Sequence, residues 1–240
     1  MKRSPRIIAV VPAAGVGSRM QADRPKQYLS LAGKTIIEHT LEALIRHPAI
    51  DRVVVALSPG DPYFPTLPVA QANWLTIVDG GNERADSVLS ALKQLPDDCW
   101  AMVHDAARPC VSHADIDKLL GVIDQRDVAG GILATPVRDT MKRAVSQSHT
   151  ISHTESRDDL WHALTPQLFP AALLREAVTS SLSQGHPVTD EASAMEMAGF
   201  KVALIDANPA NIKITRPADM PLAGFYLERL AKEDQDTVCE

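Results

Sequence analysis

A loop with two glycines directly follows the first apolar run of the chain. It contains Pro12, Ala13, Ala14, Gly15, Val16, Gly17, Ser18, Arg19 and Met20, and Lys26 lies shortly beyond it. Small residues let a backbone approach a ligand closely, and successive N–H groups can form a concave site for an anion. The two cations, Arg19 and Lys26, suit a triphosphate better than the single pyrophosphate of a dinucleotide. The structural alternative is an ordinary turn after a strand, with two surface charges.

One residue of this loop argues against the two common phosphate-binding motifs. A dinucleotide fingerprint, Gly-x-Gly-x-x-Gly, and a P-loop, Gly-x-x-x-x-Gly-Lys, would each need glycine at position 20. The chain has Met20 there. A dinucleotide-dependent oxidoreductase is therefore disfavoured.

A second charged segment follows the apolar run 101–104, where Asp105 is succeeded by Arg108. Ligands of open parallel sheets bind beyond the carboxyl ends of the strands. A carboxylate at such an end can hold Mg²⁺ or a substrate hydroxyl, so Asp105 is the candidate metal ligand. The structural alternative is an aspartate that ends the strand and pairs with Arg108.

Two more segments complete the candidate site. Gly80 and Gly81 end another apolar run and precede Arg84 and Ser87, which could form a wall for a base or a ribose. Capping of the following helix accounts for Ser87 equally well. Lys213 stands between apolar neighbours, where an inward-pointing ammonium group needs an anionic partner. The alternative is that Lys213 faces solvent.

The sequence does not favour metal ligation by histidine or covalent chemistry. His149 and His153 are spaced by four, but their segment has no helical pattern, and no Gly-x-Ser-x-Gly elbow occurs. The cysteines, Cys99, Cys110 and Cys239, are odd in number and far apart, which indicates neither a disulfide framework nor a metal site. A reaction without an enzyme nucleophile, driven by cations around phosphate, is what nucleotidyl transfer needs.

The elements that must position these residues alternate along the chain. Apolar runs at 7–11, 52–57, 75–78, 101–104 and 131–134 predict strands, and helical spacing at 35–46, 84–95 and 112–125 predicts helices. This alternation predicts an α/β fold with a mostly parallel, Rossmann-like sheet flanked by helices. Further along, we predict helices at 171–183 and 190–198, the latter capped by Thr189, strands at 201–205 and 211–215, and a last helix from Pro217.

The polar segment 137–161 interrupts the alternation and has no apolar stripe. It predicts a two-stranded β-arm with a turn near 147–149. Isolated hairpins are marginally stable in water, so we expect this arm to pack on another subunit. Without repeats or linkers elsewhere, residues 1–240 are predicted to form a single domain that carries the arm.

Composition limits the partners and the location. The chain has 45% apolar and 22% charged residues, which is typical of a folded protein. Its net charge of −6 and the lack of a long basic stretch argue against nucleic-acid binding. No apolar run approaches the roughly 20 residues of a membrane span, and the first run is too short for a signal peptide. We expect a cytoplasmic protein without membrane contact.

Taken in order, the motifs resemble one family, the 2-C-methyl-D-erythritol 4-phosphate cytidylyltransferases of the non-mevalonate isoprenoid route. The resemblance spans about residues 6–230 and rests on the loop with Pro25-Lys26-Gln27-Tyr28, Asp79-Gly80-Gly81, Val103-His104-Asp105-Ala106-Ala107-Arg108-Pro109, Thr135-Pro136-Val137-Arg138-Asp139-Thr140, Thr189-Asp190-Glu191-Ala192 and Asn211-Ile212-Lys213-Ile214-Thr215. It implies a nucleotidyltransferase that uses CTP and a polyol phosphate, requires Mg²⁺ or another divalent cation, and releases pyrophosphate.

The resemblance also implies a role for each candidate residue. Pro12, Ala13, Ala14 and Gly15 would contact the nucleotide, Arg19 and Lys26 its phosphates, Gly80, Gly81 and Ser87 the cytidine, and Asp105 and Arg108 both nucleotide and acceptor. Thr140 and Arg157, on the arm, would reach the acceptor phosphate of a neighbouring subunit, and Lys213 would hold it from the body. A homodimer with exchanged arms follows from this assignment.

Two alternatives stay open at this point. A cytidylyltransferase for another polyol phosphate, such as ribitol 5-phosphate, would use the same scaffold. A catalytically idle nucleotide-binding module that acts by subunit association would also explain the arm, but not four retained groups: Arg19, Lys26, Asp105 and Lys213.

Overall fold

A computed structural model of the chain describes residues 5–15, 20 and 23–238. In chain order, the strands are β1 Arg6–Pro12, β2 Ser30–Leu31, β3 Lys34–Thr35, β4 Ile50–Leu57, β5 Leu75–Asp79, β6 Cys99–Val103, β7 Gly131–Pro136, β8 Lys142–Ala144, β9 Ile151–Thr154, β10 Trp161–Pro170 and β11 Ala203–Asp206. The α-helices are α1 Ile36–Ile45, α2 Arg84–Leu92, α3 His113–Leu120, α4 Ala171–Ser183, α5 Glu191–Met197 and α6 Asp219–Val238.

Seven strands form the central sheet, in the order β11-β7-β10-β6-β1-β4-β5. Neighbouring strands are parallel except at β10, which runs antiparallel to both β6 and β7. The predicted α/β class with a mostly parallel sheet is confirmed. The five strands predicted between residues 7 and 134 are β1, β4, β5, β6 and β7.

Strand β1 shows why these runs become central strands. Residues 7–11 are all buried, as a parallel strand covered by helices on both faces requires. Alternate side chains enter different cores: Ile7, Ala9 and Val11 pack in the cluster that contains residues of α1 and α3. Ile8 and Val10 pack in the cluster that contains residues of α2, α4 and α5. The sheet is therefore covered on both faces, and its strand ends remain available for ligands.

Helix termini follow local capping, with three corrections to the predictions. At α1, Thr35 and Glu38 form the reciprocal capping box. The helix predicted at 112–125 ends at Leu120 and continues as a 3₁₀ turn, Gly121–Asp124. The predicted cap Thr189 is wrong, because Asp190 accepts the bond from the backbone N–H of Ser193 at 3.0 Å. Helix α6 begins at Asp219 rather than at residue 217.

The strand predicted at 211–215 is wrong. This segment is irregular, and the backbone N–H of Ile214 donates to the carbonyl of Ala107 at 2.8 Å. Ile214 is fully buried in a small cluster with Leu31, Cys110 and Ala223 of α6. The apolar alternation therefore reflects packing under α6 and not pairing in the sheet.

The segment 137–161 contains the predicted hairpin. Strands β8 and β9 form a separate two-stranded sheet in which every residue is exposed. Gln147 has a φ of 57° in the turn between them, where the turn was predicted. The contact of this arm with another subunit and the single-domain organisation both stay predictions. No helix in the described part of the chain is both long and apolar enough to cross a membrane.

Candidate active site

A cleft of about 300 Å³ opens at the carboxyl ends of β1 and β6 and beside the start of α2. Its volume lies at the lower end of the range for small-molecule sites. The cleft brings together four segments that the sequence indicated separately. Its lining consists of Pro12, Ala13, Ala14, Gly15, Lys26, Gln27, Gly81, Asn82, Glu83, Arg84, Ser87, Asp105, Ala106, Ala107 and Lys213.

The loop after β1 is held by hydrogen bonds to its carbonyl groups. Gln27 is buried, and its Nε2 donates to the carbonyls of Ala13 at 2.7 Å and Gly15 at 3.2 Å. The hydroxyl of Ser58 donates to the carbonyl of Ala14 at 2.8 Å. Three successive carbonyl oxygens are thus occupied, which reduces their repulsion of an anion in the cleft. Arg19, the first cation of the predicted phosphate grip, lies outside the described residues.

Lys26, the second predicted cation, lines the cleft. Its Nζ donates to the carbonyl of Ile214 at 2.9 Å, which links the segment after the β1 loop to the segment that carries Lys213. Two lysines from distant parts of the chain therefore border one cavity, as a site for phosphate groups requires.

Asp105 is the centre of the charged groups in the cleft. Its Oδ1 lies 3.1 Å from Nε of Arg84, and its Oδ2 lies 2.8 Å from Nζ of Lys213 and 3.5 Å from Nε of Arg108. Burial alone would raise the pKa of Asp105, but these three cations outweigh it and hold the pKa below its ordinary value. Lys213 thus directs its ammonium group towards Asp105 in the cleft, although its side chain stays 40% exposed. Asp105 pairs with Arg108 in addition to two other cations.

Arg84 is bound on its other side by Glu191, which sequence reasoning left without a role. Its terminal nitrogens lie 2.7 and 3.1 Å from the two carboxylate oxygens of Glu191, whose side chain is 1% exposed. Burial alone would lower the pKa of Arg84, but Glu191 and Asp105 raise it. The stretch 189–192 is one of the motifs on which the family resemblance rests, but no sequence pattern predicted that Glu191 pairs with Arg84.

A buried hydrogen-bond chain supports the turn from Asp105 to Arg108, and sequence reasoning missed it. The backbone N–H of Asp105 donates to Oγ1 of Thr165 at 3.1 Å, so the hydroxyl proton can be donated to Nδ1 of His104, 3.0 Å away. Nε2–H of His104 then donates to the carbonyl of Arg108 at 2.9 Å. Burial lowers the pKa of His104 to about 4, so the imidazole is neutral at pH 7, as this chain requires.

The second wall of the cleft is a glycine turn supported by Ser87. The N–H of Gly81 donates to Oγ of Ser87 at 3.1 Å, and Ser87 is buried. The N-cap of α2 is Glu83, so capping does not explain Ser87. Gly80 lies behind Ala14, and a Cβ on Gly80 would stand 2.6 Å from that of Ala14.

The predicted residues on the arm lie elsewhere. Thr140 and Arg157 are exposed and do not line the cleft of their own chain, and the guanidinium of Arg157 donates to the carbonyl of Arg138. Among the residues described, no three His, Cys, Asp or Glu side chains gather into a metal-binding group. Asp105, the predicted metal ligand, is the one aspartate among the described residues that line the cleft.

Comparisons with known proteins agree with one family. A sequence model of the 2-C-methyl-D-erythritol 4-phosphate cytidylyltransferases matches residues 7–229. The chain is 65% identical over 226 residues to a protein of that name from Alteromonas mediterranea, covering 94% of each chain. It is 55% identical over 231 residues to that of Pseudoalteromonas atlantica, covering 96% of this chain and 99% of the relative. The crystal structure of the Francisella tularensis protein of that name superposes with a TM-score of 0.79 at 35% identity, covering 92% of this chain and 99% of the other.

Proposed function

The chain belongs to the 2-C-methyl-D-erythritol 4-phosphate cytidylyltransferase family, and we propose that it carries out the transfer, with CTP as donor, in the cleft around Asp105. The reaction is that of isoprenoid precursor biosynthesis: a cytidylyl group passes to 2-C-methyl-D-erythritol 4-phosphate, giving 4-diphosphocytidyl-2-C-methyl-D-erythritol. With a triphosphate donor, the other product is pyrophosphate.

The observation that carries the proposal is the set of cations around one buried carboxylate. Arg84, Arg108 and Lys213 all lie within 3.5 Å of Asp105, next to the loop 12–15. The attacking atom would be a phosphate oxygen, which is already anionic near neutral pH, so no strong general base is needed. The barrier is repulsion between a dianionic acceptor and a polyanionic donor, and positive charges held in place lower it.

Four cations predicted from the sequence then receive a role in the reaction. Arg19 and Lys26 stabilise the charge that builds on the transferred phosphoryl group during in-line displacement. Lys213 holds the acceptor phosphate from the body of the protein, and Arg157 with Thr140 holds it from a second subunit. The ion pair of Lys213 with Asp105 supports this role, because it holds the ammonium group at the cleft before the acceptor binds.

The glycine turn provides a flat surface for the cytosine and ribose. A Cβ at Gly80 would come within 2.8 Å of Oγ of Ser87, and one at Gly81 within 2.2 Å of Cβ of Asp86. Glycine at both positions therefore lets the turn pack closely against α2 and the loop after β1. The backbone of this turn and Asn82 offer the polar groups that could read a pyrimidine edge.

The described residues could bind Mg²⁺ only together with the phosphates of a bound nucleotide. Magnesium commonly takes one or two carboxylates together with substrate phosphates, and Asp105 can be one such donor. Its Oδ1 and Oδ2 are both bound by cations, so it would have to share an oxygen with the metal. Bound to the triphosphate, Mg²⁺ would neutralise part of its charge; other divalent cations could replace it.

The homodimer is part of the same proposal. Val145, Ile151 and Leu160 on the segment 137–161 are 48%, 64% and 38% exposed, which is apolar surface that a second subunit would cover. An arm with Arg157 on its surface could then reach the cleft of the partner. The cytoplasmic location stays a prediction.

The test is release of pyrophosphate by the purified protein. It is incubated with CTP and Mg²⁺ and with each acceptor in turn: 2-C-methyl-D-erythritol 4-phosphate, ribitol 5-phosphate, or none. We expect rapid release with the first acceptor and little with the others. Faster release with ribitol 5-phosphate would support the alternative acceptor, and no release with either would support the idle nucleotide-binding module. Replacing CTP by UTP or ATP tests the choice of base.

A further inference from the structure

Glu191, the first residue of α5, connects to the cleft through a single arginine. It binds both terminal nitrogens of Arg84, and Nε of the same guanidinium lies 3.1 Å from Oδ1 of Asp105. All three nitrogens of Arg84 are therefore occupied by carboxylates. A planar guanidinium held at three points has a fixed orientation, which a lysine could not provide.

Glu191 is itself anchored to the central sheet. Gln167 on β10 is buried; its Oε1 accepts a bond from the N–H of Ala192 at 2.8 Å and its Nε2 donates to Asp190 at 2.9 Å. Asp190 also caps α5. The start of this short helix is thus held by backbone and side-chain bonds on both sides of Glu191, and its carboxylate has a defined place from which to hold Arg84.

We propose that Glu191 is a positioning residue for the transfer reaction, acting through Arg84 on Asp105. The inference rests on the function proposed above, in which Lys213 holds the acceptor phosphate. Arg84 occupies Oδ1 of Asp105, so Oδ2 faces Lys213 at 2.8 Å. The orientation of the Asp105 carboxylate, and with it the place of the Lys213 ammonium group, depends on an acid that lies outside the cleft lining.

Glu191 also keeps Arg84 away from the nucleotide. Arg84 lines the cleft, where the triphosphate would bind. Without Glu191, two terminal nitrogens of the guanidinium would lose their partner beside a polyanion, and Arg84 would turn from Asp105 towards the phosphates. Loss of Glu191 is therefore expected to impair use of the acceptor without weakening the binding of CTP.

The first measurement is steady-state kinetics of the Glu191→Gln variant, which keeps the size of the side chain and removes its charge. We expect kcat/KM for the polyol phosphate to fall about tenfold or more, as loss of a charge-assisted hydrogen bond allows. The dissociation constant of CTP, measured by calorimetry without acceptor, should not rise more than about threefold, because the loop 12–15 is untouched and the released Arg84 faces the phosphates. A folded variant with wild-type kcat/KM for the acceptor would overturn the proposal.

A double variant separates positioning from stability. Glu191→Gln alone leaves a partly buried guanidinium without its charged partner on one side, whereas Arg84→Gln with Glu191→Gln removes both charges. If Glu191 merely balances charge, the double variant regains stability and activity together, and the proposal is wrong. Positioning predicts that the melting temperature recovers while kcat/KM for the acceptor stays low. Where the single variant is too unstable to assay, full activity of the double variant still overturns the proposal.

Asp115 supplies a matched control. It is a buried carboxylate of α3, 1% exposed and paired with Lys118 at 3.2 Å, and it does not line the cleft. Asp115→Asn should lower stability without changing kcat/KM for the acceptor. The Lys213→Met variant and the wild type monitor the proposed function itself. If Lys213→Met is impaired and Glu191→Gln is normal, the present inference alone fails; if the wild type uses no acceptor, the proposed function fails and this inference with it.

Discussion

Nζ of Lys213 lies 2.8 Å from Oδ2 of Asp105, although the two residues are 108 positions apart along the chain. Lys213 stands on an irregular segment that α6 and Ala107 hold in place, and Asp105 follows β6 at the edge of the sheet. The pair holds the ammonium group of Lys213 at the cleft. An incoming phosphate can compete for this group, because the carboxylate retains Arg84 and Arg108 as partners.

Lys213→Met removes this ammonium group while keeping much of the volume of the side chain. We expect turnover to fall about 10² or more, by analogy with lost oxyanion donors, with KM for the polyol phosphate raised. Lys118→Met is the control, since Lys118 lies on α3 and pairs with Asp115 away from the cleft. Equal activity of the two variants would contradict the role given to Lys213.

Lys26→Ala tests the phosphate grip of the loop after β1. Lys26 lines the cleft and also donates to the carbonyl of Ile214, so its loss removes a charge and a link between two segments. We expect turnover to fall about 10² or more, again by analogy with lost oxyanion donors. Lys34→Ala, which breaks an exposed ion pair with Glu42, should leave activity unchanged. Full activity of a correctly folded Lys26→Ala protein would remove Lys26 from the mechanism.

Gly80→Ala tests whether the glycine turn is needed for close packing. The added Cβ would stand 2.6 Å from Cβ of Ala14 and 2.8 Å from Oγ of Ser87, so the loop after β1 or α2 must shift. We expect a loss of about 1–3 kcal/mol of stability, typical of overpacking, and weaker binding of CTP. Gly121→Ala, with nothing within 4 Å of its Cβ, is the matched control and should be neutral in both respects. Thermal unfolding and calorimetric titration with CTP measure the two effects.

The pH dependence of stability should reveal the buried neutral His104. Its pKa is about 4 in the folded chain, below the ordinary 6.5, so between these values the unfolded chain binds the additional proton. Above about pH 6.5, His104 therefore does not reduce the free energy of unfolding. As the pH falls towards 4, this free energy decreases by about 3 kcal/mol in all. Urea unfolding at pH 7 and pH 5 measures the decrease, which should be smaller in His104→Asn and unchanged in His149→Gln on the exposed arm turn. An identical decrease in His104→Asn would contradict the assignment.

Much of the sheet could be predicted because its strands are buried on both faces. Ile7 to Val11 form a continuous apolar run for that reason. Strand β10 escaped prediction because it contains Pro166 and Pro170, and proline within a run argues against a central strand. Its register shifts between Ala163 and Gln167, around the first of these prolines.

The site could be predicted only in part, for a related reason. Asp105 and the loop after β1 follow apolar runs, and the topology of a parallel sheet brings such ends together. The contact of Arg84 with Glu191 joins residues 107 positions apart through the packing of α2 near α5, which no local pattern encodes. The contacts of Thr165 with His104 and Asp105 were not predicted because β10, the strand that carries Thr165, was not predicted.

The exchanged arm makes a quantitative prediction for mixed dimers. If Arg157 completes the site of the partner, a dimer of one Lys26→Ala chain and one Arg157→Ala chain has one site with both defects and one site with none. Random pairing makes half of the dimers mixed, so the mixture should recover about a quarter of wild-type activity, as expected for a two-fold symmetric dimer. Each variant alone should be nearly inactive, and both should fold, because the arm residue is exposed. If Arg157 served its own chain, every site would carry one defect, and mixing after subunit exchange would restore nothing.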